Sequence, residues 1–397
     1  LPPIRRFAFP VVAVLLGLGI AGLAGELLLR AVWPQRSAVT LGMFRQDPHA
    51  GYSLQPGYRN TVRVPEYSTD ILIDDEGYRV PAGAVEGPPG AAPAPASAAG
   101  PSGTVRILAL GDSFTFGVGV EAEDAWPAVL ERELAAGGGA SVRVRNGGVG
   151  GYGPLRTERL LVARQSAWAP EVLVHAVYAG NDLEDSRPDT FLEHPRIAGG
   201  RMVTEVRSPL IRVRYWLRVR SHLYAFLRDQ LYDLYRRTPL AEGLRYLDPV
   251  GLRDWPPAMR EETVPAALDA IRSIAAWARE RDVAYLVVLV PAKYQVLDEA
   301  WATYRRRWRL PDSAFDRDHA QRVLAEALAA EGIEHVDLLP ALRGADDPGA
   351  LYYPVDSHWT PAGHRAAARL LRDEVLRRGW LARGRTGSAP VASVPTG

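Results

Sequence analysis

Apolar and polar positions change rhythm several times along the chain, and each rhythm predicts a different element. Residues 7–24 carry no charge, follow Arg5 and Arg6, and are closed by Glu26 and Arg30. An apolar run of about 18–20 residues can cross the hydrocarbon core of a bilayer. Basic residues before it predict a cytoplasmic amino terminus with the remainder exported. A cleaved signal peptide competes, with Gly22-Leu23-Ala24 as a poor small-residue site. Leu27-Leu28-Leu29 prolongs the apolar character, so the expectation for residues 1–36 is a cytoplasmic stub and an uncleaved single-pass anchor. A buried core helix fits the terminal position and the flanking arginines least.

Residues 37–82 alternate in short runs of Tyr, Val, Thr and Ile between Gly and Pro, as in 51–57 and 71–79, and predict a small β-rich segment. Residues 83–103 are mostly Ala, Pro and Gly, a linker with too little to bury. From 104 to 382 the pattern becomes strand, helix, strand, helix. Strands are predicted at 105–110, 142–145, 172–178, 284–290 and 335–338, and helices at 125–136, 156–167, 264–280 and 318–330. Such alternation implies an α/β fold, a parallel sheet with helices on both faces. Residues 185–262 interrupt it with Arg, Tyr, Leu and Trp and an amphipathic piece at 211–237. An inserted helical pair packing on the core is the plain reading; a lid and a membrane-surface helix are the alternatives. The tail, 383–397, is expected to be disordered.

Composition narrows the chemistry. The 397 residues carry a net charge of +1, with no dense Lys/Arg block interleaved with aromatics, so nothing points to nucleic acid. The absence of cysteine excludes a thiol nucleophile, a disulfide framework and a cysteine-ligated metal.

Four blocks, each just after a predicted strand, carry chemistry-bearing residues. Gly111-Asp112-Ser113 would present a hydroxyl at the carboxyl edge of the sheet, where open α/β folds keep their sites. The run 146–153 holds five glycines, whose accessible N–H groups suit an oxyanion; its spacing is not that of a dinucleotide fingerprint. Gly180-Asn181-Asp182 offers an amide to the same crevice, or simply a helix cap. Asp356-Ser357-His358-Trp359 offers an imidazole to take a hydroxyl proton and a carboxylate to orient it. His364, further on, reads as an ordinary solvent-exposed histidine, and a metal on His358 and His364 lacks a third ligand at a useful spacing. Each block alone is ordinary turn chemistry. Together they supply a nucleophile, oxyanion donors and a base with its orienter.

In that order the blocks resemble those of the SGNH, or GDSL-like, hydrolases, over roughly residues 104–380. The resemblance implies a flavodoxin-like three-layer sandwich of about five parallel strands. It implies Ser113 as nucleophile, His358 as base and Asp356 as orienter, with Ser113 N–H, Gly151 N–H and the Asn181 amide as oxyanion hole. Many members place the aspartate three residues before the histidine, whereas position 355 here is valine. The Asp-x-His-Trp form, with Val290-Pro-Ala-Lys293, is more similar to the membrane-associated subgroup containing alginate O-acetyltransferases. Lys293 reads as a contact for an anionic substrate or as a solvated side chain. The expected function is a membrane-anchored, exported serine esterase acting on an acylated carbohydrate or other small ester. An O-acetyltransferase for exported polysaccharide and a non-catalytic carbohydrate-binding or assembly protein are the alternatives. No cofactor or metal is called for.

Overall fold

The computed structural model describes residues 3–32, 42–64, 66–84, 103–137, 141–186, 196–198, 201–203, 217, 221–224, 226–227, 264–308, 316–354 and 356–385. Most of the expected linker and tail, and most of the 185–262 insertion with its amphipathic piece, lie outside these residues; the first residues of the expected tail, 383–385, complete a 3-10 turn (Trp380–Arg385) instead of being disordered. The described residues form two units.

One unit holds helix α1 (Pro3–Val32), residues 62–64 and the described residues between 217 and 227. Its stretch Ala13–Val32 is long and apolar enough to cross a membrane, and none of it is buried. Glu26 interrupts the apolar surface. Its carboxylate accepts hydrogen bonds from Ser221 Oγ (2.8 Å), from the His222 and Leu223 backbone N–H groups (3.0 and 2.8 Å) and from Arg30 Nε (2.7 Å). A carboxylate so placed caps the orphan N–H groups of the turn at 221–224.

The other unit is built on a five-stranded sheet. It is preceded by β1 (Phe44–Asp47) and β2 (Gly51–Leu54), which pair antiparallel, then the first three residues of β3 (Arg59–Arg63) and β4 (Ser68–Leu72). The sheet comprises β5 (Val105–Leu110), β6 (Val142–Asn146), β7 (Val172–Tyr178), β8 (Ala284–Val290) and β9 (His335–Asp337). Their spatial order is β9-β8-β7-β5-β6, all parallel. The chain therefore leaves β5 for β6 on one side and returns past β5 to β7 on the other. The switch point lies at the carboxyl ends of β5 and β7, where such sheets open a crevice. A short hairpin, 196–198 with 201–203, lies outside this sheet.

The strands are buried on both faces, so they read as near-continuous apolar runs. Their alternation still sorts side chains between two cores. Val105, Ile107 and Ala109 join Val174 and Leu286 under α3 (Trp126–Ala136) and α7 (Pro361–Arg377). Leu108 and Leu110 join Leu173 and Val287 under α4 (Pro154–Ala163), α5 (Val264–Glu280) and α6 (His319–Ala330). The predicted strand–helix alternation is present with small boundary shifts. The largest is α4, expected at 156–167. It begins at Pro154, whose missing N–H costs nothing in a first helical turn. It ends at Ala163, where the chain tightens into a 3-10 turn (Gln165–Trp168) that buries Trp168 and sends Gln165 Nε2 to the Gly147 carbonyl (3.1 Å).

Candidate active site

The nucleophile candidate owes its position to a glycine. Gly111 sits at φ +140°, and a Cβ there would fall 2.5 Å from Thr115 Oγ1 and 2.6 Å from the Ala176 carbonyl oxygen. Only glycine can make this turn from β5. Asp112 then caps the one-turn helix α2 (Ser113–Phe116), accepting the Phe114 N–H at 2.9 Å. Ser113 thereby opens the helix with its hydroxyl at the switch point.

Ser113 Oγ lies 2.8 Å from His358 Nε2 and 3.2 Å from Asp112 Oδ2. The other ring nitrogen, Nδ1, bonds to Asp356 Oδ1, which also accepts the His358 N–H at 3.1 Å. With a carboxylate facing Nδ1, the network assigns the proton to Nδ1 and leaves Nε2 to accept from serine. Burial pushes the Asp356 carboxyl up. Hydrogen bonding and charge from His358, and the Tyr67 hydroxyl, outweigh it and hold the group down to about 2. Asp356 is therefore ionised at neutral pH. The three side chains that the sequence singled out, 245 residues apart at the extremes, form one bonded chain.

The loop carrying Asp356 and His358 is braced from several sides. Tyr353 N–H bonds to the His358 carbonyl (3.0 Å) and Thr360 N–H to that of Leu351 (2.9 Å), closing a narrow hairpin. Lys293 Nζ donates to the carbonyls of Tyr353 and Pro354, both at 2.8 Å. This lysine thus acts as a clamp on the loop, a role that neither sequence reading anticipated. Trp359 is buried, edge-on to Phe114 at 5.0 Å and to His364 at 5.5 Å, and the Phe114 ring lies 5.1 Å from His358. The expected exposure of His364 is overturned. It is 1% exposed, its Nδ1 accepts the Trp126 N–H at 3.2 Å, and burial pulls its pKa down to about 3. Burial behind Trp359, helped by the positive charge of Arg79, favours the neutral ring.

On the other side of Ser113, the glycine-rich loop rests on the helix Ser113–Phe116. Val149 N–H bonds to the Gly111 carbonyl (3.0 Å), and a side chain at Gly148 would overlap Phe116 N. A side chain at Gly153 would overlap the Asp182 carbonyl, so this loop also touches the turn after β7. Gly151 has φ +78° and faces the Tyr52 hydroxyl. The Asn181 amide donates to Asp185 Oδ2 at 2.5 Å. Asp182, buried, accepts the Tyr178 N–H at 2.8 Å; burial and then the Asp112 charge push its carboxyl well above the usual range. Among the described residues no three His, Asp or Glu side chains converge as a metal ion requires.

The sequence reading missed what the β-rich segment contributes. Tyr67 Oη donates to Asp356 Oδ2 at 2.8 Å, and Glu66 Oε2 accepts the Asp356 N–H at 2.6 Å. Tyr52 Oη donates to the Gly150 carbonyl at 2.9 Å. Arg79, 3% exposed, donates to the carbonyls of Phe116 (2.8 Å) and Val120 (2.6 Å), fixing the loop after the nucleophile helix. Burial lowers its pKa to about 10, which leaves it charged at neutral pH. No local pattern marks these residues, because their partners lie tens to hundreds of positions away.

The family model for the SGNH hydrolase-like domain of the acetyltransferase AlgX matches residues 253–391, a stretch that holds Asp356 and His358 but not Ser113. Two curated relatives carry the description "Probable alginate O-acetylase AlgJ". The Pseudomonas putida protein is 29% identical over 126 residues, 32% of this chain and 31% of that protein. The Pseudomonas aeruginosa protein is 33% identical over 105 residues, 26% of this chain and 25% of that protein. The match therefore spans about a third or less of these relatives. Among solved structures, a lipase/acylhydrolase from Enterococcus faecalis aligns at 15% identity and TM-score 0.39, covering 69% of this chain and 96% of that one. The acetyl xylan esterase AlAXEase aligns at 13% identity and TM-score 0.38, covering 68% and 100%.

Proposed function

We propose that this SGNH hydrolase-like chain, an ester-acting hydrolase or O-acyltransferase akin to the alginate O-acetyltransferases, moves acyl groups onto carbohydrate hydroxyls through an acyl-enzyme on Ser113. The observation that carries this reading is the hydrogen-bonded series Ser113–His358–Asp356 at the carboxyl edge of β5. Ser113 Oγ attacks the ester carbonyl while its proton passes to His358 Nε2. The leaving alcohol takes that proton as the tetrahedral intermediate collapses. An acceptor hydroxyl then attacks the acyl-serine, gives its proton to Nε2, and Ser113 recovers it on release. Water in the acceptor's place gives the hydrolase. Backbone N–H groups of Ser113 and Gly151 and the Asn181 amide serve the oxyanion, each worth roughly 2.7–4 kcal/mol if removed.

Transfer is preferred to simple hydrolysis because the named curated relatives are described as O-acetylases. In this reading the apolar helix α1 anchors the chain, the catalytic unit is exported, and the acceptor is an exported polysaccharide. The test has two parts. A fluorophosphonate probe should label Ser113 in the wild type and not in Ser113→Ala. Mass spectrometry should then follow an acetyl donor with and without an oligosaccharide acceptor. Acetylated oligosaccharide is expected; acetate alone, at a rate indifferent to acceptor, would leave hydrolysis. An unlabelled Ser113 would remove the acyl-enzyme altogether.

A further inference from the structure

A serine–histidine–aspartate series needs its carboxylate held as firmly as its imidazole, since a rotated carboxylate no longer faces Nδ1. Asp356 sits on a surface loop, and its second oxygen points away from the histidine. That oxygen is met by Tyr67, from a segment 289 residues earlier in the chain. The approach is built rather than incidental. The Tyr67 and Tyr353 rings lie 5.0 Å apart over Gly119, where a Cβ would fall 2.8 Å from Tyr353 and 3.2 Å from Tyr67. Gly119 has φ +90°, so glycine is needed there both for the turn and for the two rings. The Tyr353 hydroxyl donates to the Gly119 carbonyl at 2.8 Å, which fixes the second ring. Glu66, the neighbour of Tyr67, accepts the Asp356 backbone N–H, so one dipeptide grips both the main chain and the side chain of the acid.

We propose that Tyr67 is a positioning residue of the acyl-transfer site, acting on His358 through Asp356. The proposal rests on the acyl-enzyme reading above. Its chemistry has two consequences. The phenol O–H fixes the carboxylate plane, so that Oδ1 stays on Nδ1. It also draws negative charge toward Oδ2, which moderates the pull of the carboxylate on the imidazolium. Removing the hydroxyl should loosen the geometry, and should strengthen the attraction of Asp356 for protonated His358. A strengthened attraction raises the imidazole pKa.

The experiment is the pH profile of kcat/KM for an activated acetyl ester in the full-length protein, comparing wild type with Tyr67→Phe. The variant keeps the ring against Tyr353 and Gly119. The other charged or titratable groups around the pair stay in place: Asp112 beside Ser113 Oγ, Glu66 on the Asp356 N–H, Lys293 on the loop carbonyls, Tyr353, and His364 behind Trp359. The expected result is a fall in kcat of about 10–150-fold, the scale of one hydrogen bond to a charged group. It comes with an acid limb moved to higher pH. Incorporation of 3-fluorotyrosine at 67, a stronger donor, should move the limb the other way and keep most of kcat.

An unchanged limb in both variants, with only a uniform loss of rate or of folded protein, would overturn the proposal and leave Tyr67 a structural residue. An unchanged rate in Tyr67→Phe would overturn it as well. Fluorophosphonate labelling of wild-type Ser113, run alongside, separates the two claims. Labelling with no effect of Tyr67 removes only the positioning role, whereas no labelling removes the acyl-enzyme on which it rests.

Discussion

Replacing Asp356 by asparagine leaves the loop nearly isosteric and removes one charge. Three hydrogen bonds converge on this carboxylate, from His358 N–H at 3.1 Å, from His358 Nδ1 and from Tyr67 Oη at 2.8 Å. Together with the charge on His358 they hold the carboxyl at about 2 against an ordinary 3.8. That difference corresponds to roughly 2 kcal/mol of preference for the ionised form, to which the hydrogen bond and charge of His358 contribute most and Tyr67 and the backbone N–H the rest. An amide also presents an N–H₂ to one of its two partners. If it faces Nδ1, the ring must take the tautomer with its proton on Nε2, which cannot accept from Ser113. Lost charge alone predicts a fall of about 30-fold in kcat; with the tautomer reversed the fall approaches the roughly 10⁴-fold known for such replacements in triads. The assay is steady-state hydrolysis of an activated acetyl ester by Asp356→Asn, with thermal unfolding measured on the same preparation. A fall in kcat of less than threefold, at unchanged Tm, would mean that some other group orients His358.

Ser113→Ala should reduce turnover to background without lowering Tm, because Asp112 still caps the helix through Phe114 N–H; retained turnover would exclude the acyl-serine. Gly111→Ala should lose about 3 kcal/mol or more by urea denaturation, since the new methyl meets the Ala176 carbonyl at a φ that alanine does not adopt; a loss under 1 kcal/mol would contradict the turn. Acid stability offers a signed test. Buried His175 bonds to Tyr285 Oη at 2.8 Å and is held neutral, with burial lowering it to about 3. The unfolded chain then binds one more proton than the folded chain between that value and about 6.5, so stability is lost as pH falls through this window. Replacing both partners, His175→Leu with Tyr285→Phe, should flatten the dependence of unfolding free energy on pH by about 1.4 kcal/mol per pH unit near pH 4–5.5; an unaltered slope would show that this histidine is not buried neutral.

The sheet and its flanking helices were legible because their signals are local. The run 105–110 is apolar at every position but Arg106, glycine and aspartate follow at once, and the strand ends where that change occurs. α5 shows its apolar stripe in Ala267, Ile271, Ile274 and Ala278, and begins beside Pro265. The candidate site was legible in part, for a different reason. Ser113 and His358 come from loops on the carboxyl side of the sheet, so topology brings Oγ to 2.8 Å from Nε2 across 245 residues of chain; Gly151 faces the Tyr52 hydroxyl and the Asn181 amide bonds to Asp185. His364 was misread because its decisive partner is non-local: the Trp126 backbone N–H, 238 positions away, bonds to Nδ1, while Trp359 packs edge-on from the loop just before α7. Lys293 was underread for the same cause, its two carbonyl partners lying 60 and 61 residues away.

The least legible part was the segment before the parallel sheet, and its position explains the cost of missing it. A flavodoxin-like sheet opens its crevice at the carboxyl edge, and here its own loops carry Ser113, the glycine run 146–153, Asn181 and His358. Nothing in that scheme closes the side of the crevice behind Asp356 or behind the loop 116–120. Here residues 66–79 do so, with Tyr67 and Glu66 on the acid and Arg79 on the carbonyls that follow the nucleophile helix. A buried guanidinium without a carboxylate against it is costly unless its protons are met, and the two Nη groups of Arg79 meet carbonyls of Phe116, Val120 and Asp70 as well as the Thr69 hydroxyl, leaving only Nε without a hydrogen bond. Lysine at 79 would keep the charge but could not reach that fan of acceptors. Arg79→Lys should therefore loosen the 116–120 loop, seen as faster amide hydrogen exchange there, and lower kcat more than it raises KM. Unchanged exchange in that loop would separate this segment from the site and return it to the status of a mere preface to the domain.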